Sequence, residues 1–575
     1  MFVSAGSPPE GENRELKTLT VAIALLVVVL LLPLLQANVV NAADIPTIYI
    51  RPDGQIEGTD NIQPDGNHYR FTANVSGRII VEKDNIILDG SGYALDGARP
   101  TNRPSGYGIT LSGRSNVTLK NIYITRFHVC IFLNHSSNNE ISGNTLISTG
   151  WWPGSMTMLQ LWKYSNSNVV AENIIVQETD DTHFEAIDIR RSFNNSILGN
   201  NVVSNGGCLS IDPYASNTTV SGNNFSAKTD VGISMIFSPS SPGGVNLWGS
   251  NTVFTNNVLF GSGLLVYNYE NNIIANNTVN SVQLVFLDNA ENINITSEGQ
   301  HNACMYAWQV ILSNCRNISV RNLGTSSAPV FVQLLATVNS EIFNCTGSIT
   351  LLDSSNIRII ATHCSSIRLD NSDGNIMMDN NISRLSLYSS NGNDIFGNNV
   401  TASSFAGIKI ASSSGNKVHG NNITDNGDGI VLGSCVNANN LIYENNIINN
   451  HHSGIFESSC SGNTFYRNNF INNSVQVMGW DSGDRWDNGS VGNFWSDYHG
   501  ADADQNGIGD VPYPISFASH LPPGYYTLHD NYPLTTPPIP VIPEIPSWSV
   551  LPCVMATAVG ALVYVWRRRA ARALS

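Results

Sequence analysis

Short segments along the chain alternate apolar and polar residues with a period of two. "GIKIAS", "GIVLGS" and "GIFESS" are three such segments, with Ile and Leu or Phe on one face and the intervening side chains on the other. A period of two is the signature of a strand. Asparagine closes many of the segments: "SGNTL" at Asn144, "AENII" at Asn173, "LGNNVV" at Asn200, "SGNNFS" at Asn223, "FGNNVT" at Asn398, "HGNNIT" at Asn421, "YENNII" at Asn445 and "YRNNFI" at Asn468. The later spacings are near 23 residues, a solenoid period. No single unit of this kind can bury its apolar face. The units must stack in parallel register, about 4.8 Å apart, with the Asn side chains aligned as hydrogen-bonded ladders at the bends. The pattern predicts an all-β parallel β-helix solenoid of about 16 rungs over residues 79–480. A leucine-rich repeat has a similar period, but its leucine spacing and helical segment are missing.

Composition narrows the picture. Of 575 residues only 13% are charged while 42% are hydrophobic, too apolar for disorder and too rich in Gly and Asn for a helical bundle. A formal net charge of −16 offers no basic stripe to neutralise phosphates and argues against a nucleic-acid partner. Residues 1–42 carry an apolar run, "LTVAIALLVVVLLLPLL", followed by the small residues Val40, Asn41 and Ala42, and read as a signal peptide or an N-terminal membrane anchor. Either reading exports the rest. Residues 43–78 form an entry and cap, 481–535 a C-terminal cap with an Asp-rich loop, and 536–546 a Pro-rich spacer. Residues 547–566 make an apolar span and 567–575 a basic tail, the arrangement of a transmembrane helix with its Arg cluster on the cytoplasmic side. The expected protein is a type I surface protein with an extracellular ectodomain.

The rungs, the entry "IYIRPDGQIEG" with "IIVEKDNIILDGSGYALDG", and the exit "NFWSDYHGADADQNGIGDVPYPI" with "DNYPL" together resemble the NosD-like branch of the right-handed parallel β-helix proteins, which share the pectin-lyase-like fold. The resemblance covers about residues 47–535 and implies a right-handed coil. Its relatives include carbohydrate-binding and sugar-cleaving proteins and a periplasmic protein that helps to mature a copper enzyme. Copper requires clustered His, Cys or Met. Here the twelve His are scattered, and the one adjacent pair, His451 and His452, would point to opposite faces of a strand, so copper is discounted. "PEIPSW", the apolar span and the Arg cluster also resemble archaeal C-terminal sorting signals, in which a lipid replaces the helix.

Rung alignment sets "MLQLWKYS", "EAIDIRRS", "CLSIDPYA" and "VGISMIFS" in succession, with Leu159, Ile187, Leu209 and Ile233 inward. Trp162, Asp188, Arg190 and Asp212 then face outward on neighbouring rungs, with Asp180, Asp181 and His183 just before them. Trp offers a stacking face and carboxylates accept from hydroxyls, the chemistry of a polysaccharide or envelope-glycan site. Asp188 and Asp212 would lie roughly 7–9 Å apart, the separation of an inverting glycosidase pair. The same residues read equally as ion pairs with Arg190 and Arg191 that keep a sheet face soluble. Three functions therefore stay open: glycan binding without catalysis, glycan cleavage through Asp188 and Asp212, and a purely structural stalk or adhesin. Basic residues are too sparse to favour a lyase.

Cys435 and Cys460 end equivalent strands one rung apart and are placed for a disulfide, or for a reduced stack of small core residues; Cys345 and Cys364 form a weaker second pair. Sequons such as Asn116, Asn217, Asn294 and Asn422 make an exported chain a candidate glycoprotein. Asp502, Asp504, Asn506, the Ile508 carbonyl and Asp510 occupy positions 1, 3, 5, 7 and 9 of a Ca²⁺ loop, with Asp497 or Asp530 as a further ligand. Position 12 is Tyr513 rather than Glu, and Pro512 and Pro514 forbid the second helix of an EF-hand. The loop reads as a calcium-pinned cap over the last rung, or as an Asx-rich turn without metal.

Overall fold

The computed structural model describes residues 45–97, 105–149, 157–178, 184–227, 245–261, 263–296, 309–435, 437–479, 483–515 and 528–539. The apolar runs near both termini, Cys553, Asp180, Asp181, His183 and Ile233 lie outside these residues. Every regular element among them is a strand, and none is a helix long and apolar enough to cross a membrane.

The chain divides into two units, the first ending at Leu284. That unit holds three ten-stranded sheets. One circuit of the chain visits them in order: Phe127–Asn134 in the first sheet, Glu140–Ser142 in the second and Thr145–Thr149 in the third. Each strand pairs in parallel with its counterpart one circuit on, as Leu159–Trp162 does with Glu185–Arg190. Ile131, Leu133, Ile141 and Leu146 point into the coil with 0% exposure, so alternate positions on all three sides build one core. The chain enters through antiparallel pairings, Thr47–Ile50 with Ile56–Glu57 and Ile62–Asp65 with His68–Phe71.

The second unit, from Val285, holds a fifteen-stranded fourth sheet, a nine-stranded fifth sheet and a hairpin of Tyr513–Ile515 with Leu528–Asp530. Between residues 330 and 388 each circuit gives the fourth sheet one continuous strand, such as His363–Asp370 and Asn381–Tyr388. From Asn399 each circuit gives it two, such as Asn422–Thr424 and Asp428–Cys435. Ladder partners are 17 or 18 residues apart in the first stretch and 23 or 24 in the second, so the rung is not a fixed 23-residue repeat.

The asparagines explain themselves locally. Apart from Asn493, each ladder Asn follows a residue in left-handed backbone, as Gly199 (φ 61°) precedes Asn200 and Gly397 (φ 67°) precedes Asn398, and this turn aims the amide inward. Asn200 Oδ1 then accepts from the Asn173 backbone N–H at 2.9 Å and from Asn173 Nδ2 at 2.9 Å, while Asn200 Nδ2 donates to Val170 O and to Asn223 Oδ1. A side chain with one acceptor and two donors is what a buried bend repeated every rung requires. At the C-terminal end the next rung is missing and only acceptors are wanted. There two of the three Asn ladders finish on buried aspartates, Asn463 N donating to Asp484 at 2.7 Å and Asn493 N to Asp530 at 2.6 Å, while the third finishes on Asn473, which donates to Gln476.

Cys435 and Cys460 are register partners one rung apart and form a disulfide, with Cα atoms 4.4 Å apart. Cys345 and Cys364 do not meet. The ladder sets Gly347 opposite Cys364, offsetting the two thiols by two residues, and both are free and buried.

Candidate functional site

The strand Glu185–Arg190 lies in the first sheet between Leu159–Trp162 and Gly207–Ile211. Leu159, Ile187 and Leu209 are in register and fully buried in the core, which turns Gln160, Asp188 and Ser210 onto the outer face, with Trp162 and Arg190 paired beside them. The strand that follows Gly207–Ile211 is Val245–Leu247, with Val245 opposite Leu209 in the place expected for Ile233.

Asp188 is on the outer face and yet only 1% exposed. Its Oδ2 accepts from Arg190 Nε at 2.7 Å and from Gln160 Nε2 at 3.0 Å, and its Oδ1 is buried without a hydrogen-bond partner. Burial pushes the Asp188 carboxyl up, against the pull of Arg190 and Gln160. The Arg190 guanidinium also reaches the Trp162 ring, 5.4 Å from its centre. Asp212 is held differently, its Oδ1 accepting the backbone N–H groups of Arg191 and Tyr214, each at 3.0 Å. The structure thus places all four expected residues on one face, but it commits Asp212 to closing a turn.

Glu185 was hidden from the alternation. Glu185, Ala186, Ile187, Asp188 and Ile189 are all buried, so burial on this strand does not follow the alternation that would assign Glu185 a face. Its carboxyl lies near enough to Asp188 and Arg190 to sense both charges, and burial, with the Asp188 charge adding to it, pushes it up to about 7. Cys130 and Ile131, Met158 and Leu159, and Cys208 and Leu209 show the same paired burial on neighbouring rungs. Aromatic pairs flank this polar centre: Tyr107 stacks on Phe132 at 4.4 Å, and Trp248 on Tyr267 at 3.6 Å.

The Asp-rich loop is a second candidate. Asp502 accepts from Asn506 N at 3.1 Å and Gly507 N at 2.9 Å, Asp504 from Asn506 Nδ2 at 2.8 Å, Asp510 from Ala503 N at 2.8 Å, and Asn506 Oδ1 from Ile508 N at 2.7 Å. Ile508 also bridges to Leu534, which ties the loop to the chain that leaves the hairpin. Asp497 and Asp530, expected as additional ligands, serve elsewhere. Asp497 accepts from the Tyr513 hydroxyl at 3.0 Å, while Asp530 takes Asn493 N and Trp495 Nε1, the latter at 2.9 Å. Among the described residues no three His, Cys, Asp or Glu side chains are gathered as a metal set.

Residues 302–500 match a family model described as periplasmic copper-binding protein (NosD), and residues 47–225 match one described as right handed beta helix region. No curated protein matches the chain. Among solved structures, Dettilon tailspike protein (gp208) is similar at 13% identity and a TM-score of 0.21, with 62% of each chain covered. The periplasmic alginate epimerase AlgG is similar at 12% identity, over 75% of this chain and 72% of that one, with a TM-score of 0.19. PfbA, a surface adhesin of Streptococcus pneumoniae, is similar at 12% identity, over 68% and 84%, with a TM-score of 0.19. The described residues do not fit a copper centre: the Cys130 and Cys208 thiols are buried singly in the core and pushed up to about 12, and His452 is engaged with Asp428 at 2.7 Å.

Proposed function

We propose that this right-handed parallel β-helix protein binds a polysaccharide or envelope glycan along the outer face of its first sheet, as an exported protein tethered through its C-terminal apolar span. The observation that carries the reading is the buried Asp188 carboxylate, held by the half-buried Gln160 and the exposed Arg190, between two aromatic pairs. Isolated surface ion pairs contribute little to stability, and burying a carboxylate with one oxygen unpaired is costly. Such a cluster makes physical sense when a ligand hydroxyl completes it. The rungs from Phe132 to Trp248 span about 19 Å at the usual strand spacing, room for several sugar residues, with the half-buried Trp162 beside the cluster and apolar ring edges at both ends.

The full chain on a glycan array should retain a ligand, and Trp162→Ala should weaken retention while circular dichroism stays unchanged. Loss of fold in Trp162→Ala, or an array without any hit, would remove the reading and leave the stalk. Cleavage is the second reading, favoured by one observation: a carboxyl at about 7 beside a carboxylate can give or take a proton at neutral pH. In that reading Glu185 joins Asp188 as a candidate for the chemistry, since turn amides hold Asp212. Release of reducing ends, abolished in Glu185→Gln with binding retained, would establish it.

A further inference from the structure

The fifth sheet carries an outward stripe that neither reading uses. Its nine strands run from Asn294–Thr296 to Thr464–Tyr466, with Ile376–Met378 in the middle. The central residue of each strand, such as Ile342, Ile359, Met377 and Ile395, is buried in the core, so the residues on either side of it stand outward in two columns. In one column Phe396, His419, Tyr443 and Tyr466 stack on one another at 5.1, 4.7 and 5.0 Å, with planes within 10°. Met378 and Phe343 extend this column toward Arg321, whose guanidinium lies 5.0 Å from the Phe343 ring centre. Rings stacked along the coil present their edges outward, so the stripe offers apolar packing rather than faces for a sugar.

The other column reads Glu341, Arg358, Ile376, Asp394, Lys417 on five consecutive rungs. Its charges run minus, plus, neutral, minus, plus. A two-fold axis parallel to the strands through the central Ile376–Met378 strand lays each column on its own copy in reverse order. It sets Glu341 against the second copy's Lys417, Arg358 against the second copy's Asp394, Ile376 against itself, and Arg321 against the ring of Tyr443. Every charge in the column then meets its opposite, twice per pair of chains. Among the described residues Arg358 and Lys417 have no ion-pair partner within the chain, while Glu341 holds Arg321 and Asp394 holds His419 at 3.0 Å.

We propose that the fifth sheet is a self-association face on which a second copy of this chain packs antiparallel about Ile376 and Met378. Nine rungs by three residues give a footprint of roughly 400 Å² per copy, below the ~800 Å² of a standard interface, so the pair is weak and forms where the chain is concentrated. Sedimentation of the full chain should show a concentration-dependent dimer, with a dissociation constant of tens to hundreds of micromolar expected for so small a footprint. Arg358→Asp and Asp394→Arg singly should each weaken it by about tenfold or more, because each change places like charges together at two symmetric points. Combined in one chain, the two substitutions should restore the dimer, which a merely structural effect could not do. Met378→Lys, which brings two like charges to the axis, should abolish it with circular dichroism unchanged. A chain that stays monomeric throughout, a dimer indifferent to the exchanges, a double exchange that fails to rescue, or a stripe whose Met378→Lys variant loses glycan rather than mass would each overturn the proposal.

Discussion

In the first unit, successive ladder partners stand 20 to 34 residues apart, and three separate sheets frame the coil. Between residues 330 and 388 of the second unit the spacing falls to 17 or 18 and two sides merge into one continuous strand, while a hydroxyl ladder through Thr337, Ser354, Ser372 and Ser390 runs beside Asn ladders such as Asn380–Asn398, as Ser136, Ser165 and Ser192 do in the first unit. A short rung has no length to spare beyond its strands and bends. Residues beyond that minimum are available for chemistry. The buried Asp188 carboxylate sits among the long rungs, whereas the columns of the fifth sheet run without interruption through short and long rungs alike.

The largest expected effect tests the ladders themselves. Asn200→Ala removes an acceptor for two donors of Asn173 and two donors of its own in a fully buried bend, and should cost about 4 kcal/mol in urea unfolding. Ser372→Ala removes one acceptor, for Ser354 N, and one donor, to Asp370 O, and should cost about 1–2 kcal/mol. Equal losses would show that the Asn and hydroxyl ladders are energetically alike and that rung length, not ladder chemistry, separates the two regions.

The next prediction concerns pH. Burial raises Asp530 from 3.8 to about 6 in the second unit and Glu185 from 4.5 to about 7 in the first. Between the ordinary and the raised value the folded chain keeps a proton that the unfolded chain has released. The stability from each group is therefore complete below its ordinary value and is lost as pH rises through about 6 for Asp530 and about 7 for Glu185. At 1.36 kcal/mol per unit the two groups are worth about 3 kcal/mol each. Thermal midpoints should fall from pH 5 to pH 8. Glu185→Gln should flatten the first unit's share and Asp530→Asn the second's, and midpoints that rise across this range would sink the argument.

The ladders and the period of two were legible because each rung repeats the same local solution: a left-handed residue, an inward Asn, then alternating strand. The disulfide was legible for the same reason, since Cys435 and Cys460 end strands of equal phase. Cys345 and Cys364 misled because their rungs are short and the register shifts at Gly347 and Ser348. Glu185 was invisible because burial from Glu185 to Ile189 is continuous and does not follow the alternation that assigns faces. Asp530 was read as a calcium ligand because acidity suggests metal; its place as the ladder's final acceptor depends on the hairpin folding back, which no local pattern records.

The disulfide offers a smaller test, because it joins two long rungs of the second unit that are already in register. Cys435→Ser should lower stability by about 2 kcal/mol under oxidising conditions and by nothing once the wild-type chain is reduced. An effect that persists under reduction would assign the loss to packing of the two cysteines instead of to the cross-link.

The smallest effect belongs to the Asp-rich loop, where the C-terminal end of the second unit differs most from the entry of the first. The entry is closed by the hairpin of Ile62–Asp65 with His68–Phe71, with the Tyr69 hydroxyl donating to Gly54 O and Arg51 pairing with Glu57 and Glu82. The exit relies more on side chains: Asp484 and Asp530 end two of the three Asn ladders, Trp495 stacks on Phe470 at 4.3 Å, and the loop leans on Leu534 and on Thr535. Because Asp502, Asp504 and Asp510 already accept the loop's own amides, calcium would add to a closed turn rather than create one. We propose that Ca²⁺ binds there with a dissociation constant of about 1 mM, as extracellular loops do, so that about 5 mM calcium adds about 1 kcal/mol by mass action. Chelation should lower the thermal midpoint slightly, magnesium should substitute poorly, and Asp504→Ala should remove the response. The exchange of backbone amides near Asn468 and Asn445 should quicken on chelation while those near Asn200 hold, since a loosened end frays locally. If calcium leaves both midpoint and exchange unchanged, the loop is an Asx-rich turn, and the aspartates at the ladder ends close this unit without a metal.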